Sequence, residues 1–339
     1  MDVCISIVIP AYNCRGILRR VLQGLFDQKA LDSVMEIFVV DDGSTDGTGE
    51  MVRTLIPTSP VPLCYIYKSN GGQCSARNMG IRAARGDVLL FLDADILPEL
   101  HLVGRHAAFH KAHPEPHMAL RGRVEVSPEI DRSRQVCNGG SMDTSFKGST
   151  PDLTRLRWID FITNNISLKR AFVTEHGLLF DEQLRGNEDV EFGYRAMKAG
   201  LQLAYDEEAL GYHYHPMDLE SHLRRARMYG TSYAIWFRRY PELAEELRAL
   251  GVAHYYGFFS GSPSLLRRTK DHLRRTLANR TTVPVLTWLG QRLHLWHPNW
   301  AFFLYRQAYQ YHHQDAFRAQ CRKMRPQEWK SGQVETATI

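Results

Sequence analysis

Val88-Leu-Leu-Phe-Leu-Asp-Ala-Asp95 passes from an unbroken apolar run into two carboxylates one residue apart. A short run that is apolar throughout reads as a strand buried on both faces of a parallel sheet, with the acids at its carboxyl end. In extended chain, residues i and i+2 share a face, so Asp93 and Asp95 can converge on one hard divalent cation. Such a cation can hold a diphosphate. A strand that simply runs out into an acidic loop reads the same, so the flanking sequence has to decide.

Upstream, Cys4 to Pro10 is dense in β-branched residues and closes on proline, which predicts a buried strand followed by the loop Ala11-Tyr12-Asn13. A helix is expected from about Arg15 to Gln28, where Ile17, Leu18, Val21, Leu22 and Leu25 form one stripe. Met35 to Val40 is a second buried strand ending in Asp41 and Asp42. Strand, helix, strand makes a right-handed parallel unit with both carboxyl ends on one edge. Pro62 to Tyr67 is a third strand. Lys68 to Gln73 is then a glycine-rich turn into a helix from about Cys74 to Ala84, with Arg77 in its first turns. Amides at a helix N-terminus beside a guanidinium suit a phosphate, so Gly72 and Arg77 are candidate ligands, although a plain loop-to-helix junction looks alike. Two other patterns fail. Gly47-Thr48-Gly49 has Val52 where a dinucleotide fingerprint needs its third glycine, and the acidic loop from Asp42 has Arg53 where a calcium loop needs Glu.

Downstream, Leu97 to His113 reads as a helix with His101, His106, His110 and His113. The 106/110 pair has metal-face spacing but no accompanying Glu, so a solvated histidine-rich face is expected. Met118 to Val126 is a strand, and Ser127 to Asp152 has the composition of a mobile lid. Asn187 is expected to cap a helix whose first turn carries Glu188 and Asp189, which complement the helix dipole without any catalysis. Leu201 to Tyr205 and Ala209 to His215 are expected as two short strands, the second presenting His213 and His215 on one face.

From Asp218 the chain turns helical and basic. Leu219 to Tyr240 and Leu265 to Arg280 are arginine-rich, and Trp288, Trp296, Trp300, Phe302, Phe303 and Tyr305 follow as an aromatic cluster. Such a region suits an anionic membrane surface, but the plainer reading, a helical subdomain packed on the sheet, stands ahead of it. The tail from Ser331 is expected to be disordered. The net charge of +5 hides this division: from Pro216 onward there are 19 Lys+Arg against 9 Asp+Glu, leaving 23 against 28 before it. Six scattered cysteines without a C-x-x-C pair indicate neither a zinc site nor a disulfide framework, and fit a reducing compartment. The start lacks signal-peptide character, and no window reaches about 18 consecutive apolar residues, so no transmembrane segment is expected.

Taken together, Ile-Val-Ile-Pro-Ala-Tyr-Asn (7–13), Val-Val-Asp-Asp-Gly-Ser-Thr-Asp (39–46), Gly-Gly-Gln-Cys-Ser-Ala-Arg-Asn-Met-Gly (71–80) and Phe-Leu-Asp-Ala-Asp (91–95) resemble the family 2 glycosyltransferases. Trp158 to Lys169 is similar to the strand before the acceptor side in that family. The resemblance implies an α/β GT-A fold with a Rossmann-like, mostly parallel central sheet over residues 1–215, and a C-terminal helical extension over 216–330. The nucleotide-sugar half would span about 1–115 and the acceptor half about 116–215, with 331–339 as the tail. It implies that Pro10, Ala11, Tyr12, Asn13, Asp41 and Asp42 surround base and ribose, and that Gly72 and Arg77 stand beside the nucleotide. Asp93 and Ala94 would lie at the ribose, and Asp93 and Asp95 at a Mn²⁺ or Mg²⁺ ion. One of His213 and His215, His213 ahead, would be a further ligand. A Glu-Asp pair followed by an Arg, here Glu188, Asp189 and Arg195, would supply the catalytic base, with Asp189 ahead of Glu188.

The implied activity is metal-dependent, inverting transfer from a nucleotide-diphospho-sugar, UDP- ahead of GDP- or dTDP-, to a hydroxyl of a glycan, lipid-linked, peptide or small-molecule acceptor. The setting would be cytoplasmic, with peripheral contact at the inner membrane face. The rivals are a non-catalytic nucleotide- or glycan-binding relative, a nucleotidyltransferase and a nucleic-acid binder. The first should have lost an acid. The second wants a Gly-rich basic loop after the first strand, where Pro10 to Asn13 stands. The third lacks a reading motif.

Overall fold

Alternation along the first strands sorts side chains onto two faces of one sheet. A computed structural model of the chain describes residues 3–131, 156–216, 218–240, 242–243 and 278–324. Strands β1 (Ile5–Ala11), β2 (Val34–Asp41), β3 (Leu63–Tyr67) and β4 (Val88–Leu92) run parallel in the order β3-β2-β1-β4. Ile5, Ile7 and Ile9 face α1 (Arg15–Phe26), which buries Leu18, Val21, Leu22 and Leu25, and α2 (Thr48–Leu55), which buries Met51 and Val52. Val8, Phe38, Val40, Leu89 and Phe91 face the other way, toward α3 (Gln73–Ala83). Gly80 lets that helix approach: a Cβ there would collide with Val8. Each such aliphatic side chain, fully buried, contributes about 1.5–3 kcal/mol.

Beyond β4 the sheet mixes its directions. After β5 (Ile96–Pro98), α4 (Leu102–Ala112), β6 (Met118–Val126), β7 (Asn165–Lys169), α5 (Arg170–Glu175) and α6 (Glu188–Lys198) comes β8 (Gln202–His213). The full order is β3-β2-β1-β4-β7-β6-β8-β5. β7 is antiparallel to β4 and β6, β8 is parallel to β6, and β5 is antiparallel to β8.

Several expectations are corrected here. The helix expected from Leu97 begins at Leu102, because Ile96 to Pro98 is drawn into the sheet by β8. The two strands expected after Leu201 are one strand of 12 residues, whose register against β6 shifts at Gly122–Val124. Of Trp158 to Lys169 only Asn165–Lys169 is strand, since Trp158–Asp160 is a tight turn closed by Arg157 N donating to Asp160 Oδ2 at 2.9 Å. His106 and His110 are buried, not solvated: His106 Nδ1 and His110 Nε2 both meet Ser167 Oγ, at 2.7 and 2.8 Å, and His106 Nε2 meets Asn165 Oδ1 at 2.9 Å. Polar groups on β7 thus bond both His106 nitrogens and one His110 nitrogen, His110 Nδ1 having no hydrogen bond among the described residues, and burial pushes the His106 imidazole down to about 4. Residues 132–152 of the expected lid, and the expected disordered tail, lie outside the described residues.

The chain divides after Pro216 into two compact units. The second holds α7 (Leu219–Arg239), α8 (Thr282–Leu293) and α9 (Pro298–Lys323). Asp218 caps α7, its carboxylate accepting from Ser221 N at 2.7 Å. Phe237 of α7 meets Phe317 of α9 edge-on at 5.8 Å, and Leu219, Ala301 and Tyr305 form a small core. The expected aromatic cluster is packed only in part: Trp300 meets Phe303 edge-on at 6.2 Å, and Phe302 packs against the small core that holds Tyr305. Tyr305 is buried and Phe302 half-buried, while Trp288, Trp296, Trp300 and Phe303 are exposed. The arginines and lysine of residues 265–277 lie outside the described residues.

Candidate active site

The short strand β5 closes the site. Its pairing sets Ile96 opposite His213, so the end of β8 lies against the acidic step after β4, and Tyr214 N donates to the Asp95 carbonyl at 2.8 Å. Asp95 Oδ2 is 3.3 Å from His213 Nε2 and 3.4 Å from His215 Nδ1. The two imidazoles lie parallel, with ring centres 5.5 Å apart. One ligand atom from each of the three residues falls within 4.8 Å of the others. Burial would raise the Asp95 carboxyl, but hydrogen bonds from both histidines outweigh it and hold the group well below the usual carboxylate range. One carboxylate and two imidazoles fit a divalent transition-metal ion such as Mn²⁺, and fit Mg²⁺ less well because it favours an all-oxygen shell. Asp93, which also lines the cavity beside these residues, accepts from Arg77 at its Oδ1 at 2.8 Å, and its backbone N donates to Asn164 O at 3.3 Å.

A cavity of about 480 Å³ opens beside the triad. Pro10 to Cys14 from the end of β1, Asp93 to Asp95 after β4 and Tyr214 to Pro216 after β8 line it, with Ile17, Asp42 and Gln73. The β1 loop is fastened to the β2 loop. Asn13 adopts a left-handed backbone, φ 47°, with its Oδ1 accepting from Thr45 N at 2.8 Å and its N donating to Ser44 Oγ at 2.9 Å. Tyr12 stands 54% exposed over the cavity. Asp41 is buried and accepts from Tyr65 Oη and Ser44 N, each at 2.7 Å. Asp42 accepts from Gly71 N at 2.8 Å, Gly72 N at 2.7 Å and the Lys68 ammonium. The amides expected to hold a phosphate thus go to the Asp42 carboxylate, and Gly72, at φ 90°, supplies a conformation that other residues avoid.

Helix α3 reaches across to the segment before α6. Asn78 Nδ2 donates to Phe180 O at 2.9 Å, and Phe180 N returns a bond to Asn78 Oδ1 at 2.7 Å. The Arg77 guanidinium is buried between Asp93 and Glu188, donating to Glu188 Oε1 at 2.8 Å, and Gln73 Nε2 donates to the same oxygen. Glu188 is therefore tied down at 3% exposure. Asp189 is half-buried, with Oδ1 accepting from Val190 N at 2.8 Å. Burial, and next the Glu188 charge, push its carboxyl up to about 7. Asn187 stands at the N-cap position but makes no capping bond from its side chain, because its backbone is left-handed, φ 55°. Arg195 is a brace, bound to both Glu191 oxygens at 2.8 Å and to Leu179 O at 2.7 Å.

Cys14, Ile17, Gln73, Tyr214 and Pro216 line the cavity without having been expected there as site residues. Tyr214 could have been found between its two histidines, and Gln73 directly after the glycine pair. Cys14 and Ile17 carry no signal beyond following the first loop.

A mixed sheet whose parallel strands deliver acids to one edge is the GT-A glycosyltransferase architecture. The mannosyltransferase PcManGT from Pyrobaculum calidifontis, in complex with GDP-Man and Mn²⁺, has this fold: it matches with a TM-score of 0.63 at 19% identity, over 95% of this chain and 87% of that one. Residues 6–172 belong to glycosyl transferase family 2, whose family model they match. The chain is 31% identical over 265 residues to the uncharacterized glycosyltransferase YfnE of Bacillus subtilis (strain 168), a match covering 64% of this chain and 66% of that protein. It is also 31% identical over 232 residues to validoxylamine A glucosyltransferase of Streptomyces hygroscopicus subsp. limoneus, covering 61% and 51%. The chain thus spans between half and two thirds of these relatives' lengths.

Proposed function

We propose that the chain is a metal-dependent inverting glycosyltransferase that moves a sugar from a nucleotide-diphospho-sugar to an acceptor hydroxyl. The observation that carries this is the Asp95, His213 and His215 triad at the edge of the cavity lined by the β1 loop. These three residues would hold Mn²⁺ ahead of Mg²⁺, and the ion when bound supplies charge neutralisation for the leaving diphosphate. Tyr12, Asn13 and Asp42 face the nucleotide, with the Tyr12 ring offering the base an apolar surface. Asp189 takes the acceptor proton as the acceptor oxygen attacks the anomeric carbon from the side opposite the leaving group, which inverts the configuration. Its carboxyl near neutrality suits that task, whereas Glu188 is occupied by Arg77 and Gln73. Arg77 acts from within the protein by joining the donor-side Asp93 to the acceptor-side Glu188.

The donor is a UDP-sugar ahead of a GDP- or dTDP-sugar, and the acceptor is a glycan, lipid-linked, peptide or small-molecule hydroxyl. The chain works in the cytoplasm, peripheral to the membrane's inner face; no described helix is long and apolar enough to cross a bilayer. Incubating the protein with Mn²⁺ and each of UDP-glucose, UDP-N-acetylglucosamine and GDP-mannose tests the reading. Free UDP should accumulate faster than free GDP, and no nucleotide release from any of them in the presence of Mn²⁺ would contradict it.

A further inference from the structure

Seven of the thirteen large apolar side chains left exposed among the described residues fall between Val285 and Phe303. They follow the α8–α9 hairpin around its tip. Trp288 and Leu289 lie with Val285 at i, i+3 and i+4 on α8, while Val283 and Gly290 are buried. The turn presents Leu295 at 77% and Trp296 at 80% exposure, and the first turns of α9 add Trp300 at 65% and Phe303. Burying this surface would be favourable, and a tip of this kind marks an interaction site.

Charge selects the partner. No carboxylate occurs between Asp271 and Asp315, whereas Arg280, Arg292 and Arg306 fall in that interval. The Arg292 guanidinium lies over the Trp288 ring, 5.6 Å from its centre. A hairpin that carries Arg292 and Arg306 near its apolar tip, and no acid before Asp315, is complementary to an apolar layer overlaid by negative charge. Tryptophan adds to this, because its flat amphipathic ring settles at the boundary between headgroups and hydrocarbon. The 12 residues of α8 span only ~18 Å, against ~30 Å of hydrocarbon, so the hairpin can enter the interface but cannot cross it.

We infer that the α8–α9 hairpin is a membrane-docking element, seating Leu295, Trp296 and Trp300 in the interfacial layer of an anionic bilayer. The inference locates the peripheral attachment in the functional reading above and is independent of its sugar-transfer chemistry. Attachment at this tip rests on apolar insertion as well as on charge, so part of it should survive salt that screens the arginines.

The test uses the full chain with phosphatidylcholine vesicles, with and without phosphatidylglycerol. The protein should sediment with the anionic vesicles, and its tryptophan emission should be quenched by lipids brominated near the headgroup. Leu295→Ser, Trp296→Ser and Trp300→Ser together should weaken vesicle binding by ~10-fold or more, with an unchanged melting temperature and unchanged nucleotide release from the donor sugar. Trp296→Ser alone, at the most exposed position, should show the same direction. Binding of the triple variant equal to that of the original protein overturns the inference. So does failure of the original protein to bind either vesicle, or a concentration-dependent dimer that the triple variant abolishes without any vesicle binding. Loss of vesicle binding with intact nucleotide release bears on the hairpin alone, and the converse bears on the catalytic reading alone.

Discussion

Arg77 and Glu188 lie 111 positions apart and meet at 2.8 Å inside the protein, both almost wholly buried. The other terminal guanidinium nitrogen, Nη2, reaches Asp93, also at 2.8 Å. A buried charge that loses its partner costs far more than an exposed one. Arg77→Met should therefore destabilise the protein by ~3 kcal/mol or more, and adding Glu188→Gln should recover part of that loss because the orphaned carboxylate is then neutral. Urea unfolding of the single and double variants checks this. A loss under ~1 kcal/mol for Arg77→Met would show that Glu188 finds another partner.

The second prediction concerns Asp189. A carboxyl held at about 7 is protonated below that pH and cannot take a proton from the acceptor, so transfer should rise as pH increases through about 7. Part of the elevation comes from the Glu188 charge, so Glu188→Gln should move this rising limb to lower pH. Asp189→Asn should lower transfer by ~10²-fold while donor binding persists. A pH profile unmoved by Glu188→Gln, together with near-normal transfer by Asp189→Asn, would take the role of base away from Asp189.

The third prediction concerns His106 and His110. Burial pushes both imidazoles down, to about 4 and about 2, below the ordinary value near 6.5. For a histidine depressed in the folded state, the stabilisation is complete above the unfolded value and is lost as pH falls toward the folded one. Stability should therefore decline from about pH 6.5 to about pH 4, with His106 contributing up to ~3 kcal/mol over that window. His106→Gln should flatten this slope in urea unfolding measured at several pH values. A slope identical to that of the unsubstituted protein would mean that His106 is not the group responsible.

How much of this was legible in the sequence depended on range. The apolar run ending at Asp93 and the βαβ unit are local patterns that sit in the structure where they are expected, and both histidines reach Asp95, although β8 stops at His213 and Asp93 pairs with Arg77. The step joining them was hidden. Ile96 to Pro98 is too short for a strand signal and merges with the following helix, yet its pairing with β8 is what carries His213 and His215 to Asp95. The burial of His106 and His110 was hidden for a similar reason, since their partners Ser167 and Asn165 come about sixty residues later. Asn187 carries a capping residue type, but its left-handed backbone turns that side chain away from the cap. The Gly71 and Gly72 amides looked free for a phosphate because the carboxylate they bind, Asp42, belongs to a different loop.

We propose that Asp95, His213 and His215 form one divalent-metal site serving sugar transfer, and titration of Mn²⁺ followed by electron paramagnetic resonance tests this. One ion should bind per chain, with affinity weakened by ~10-fold or more in each of Asp95→Asn, His213→Ala and His215→Ala, because both imidazoles lie within ligand reach of the same carboxylate oxygen. Asp95→Asn should also lose ~10²-fold or more in turnover while staying folded. Mn²⁺ binding left unchanged by all three substitutions, or full transfer activity in EDTA, would contradict it.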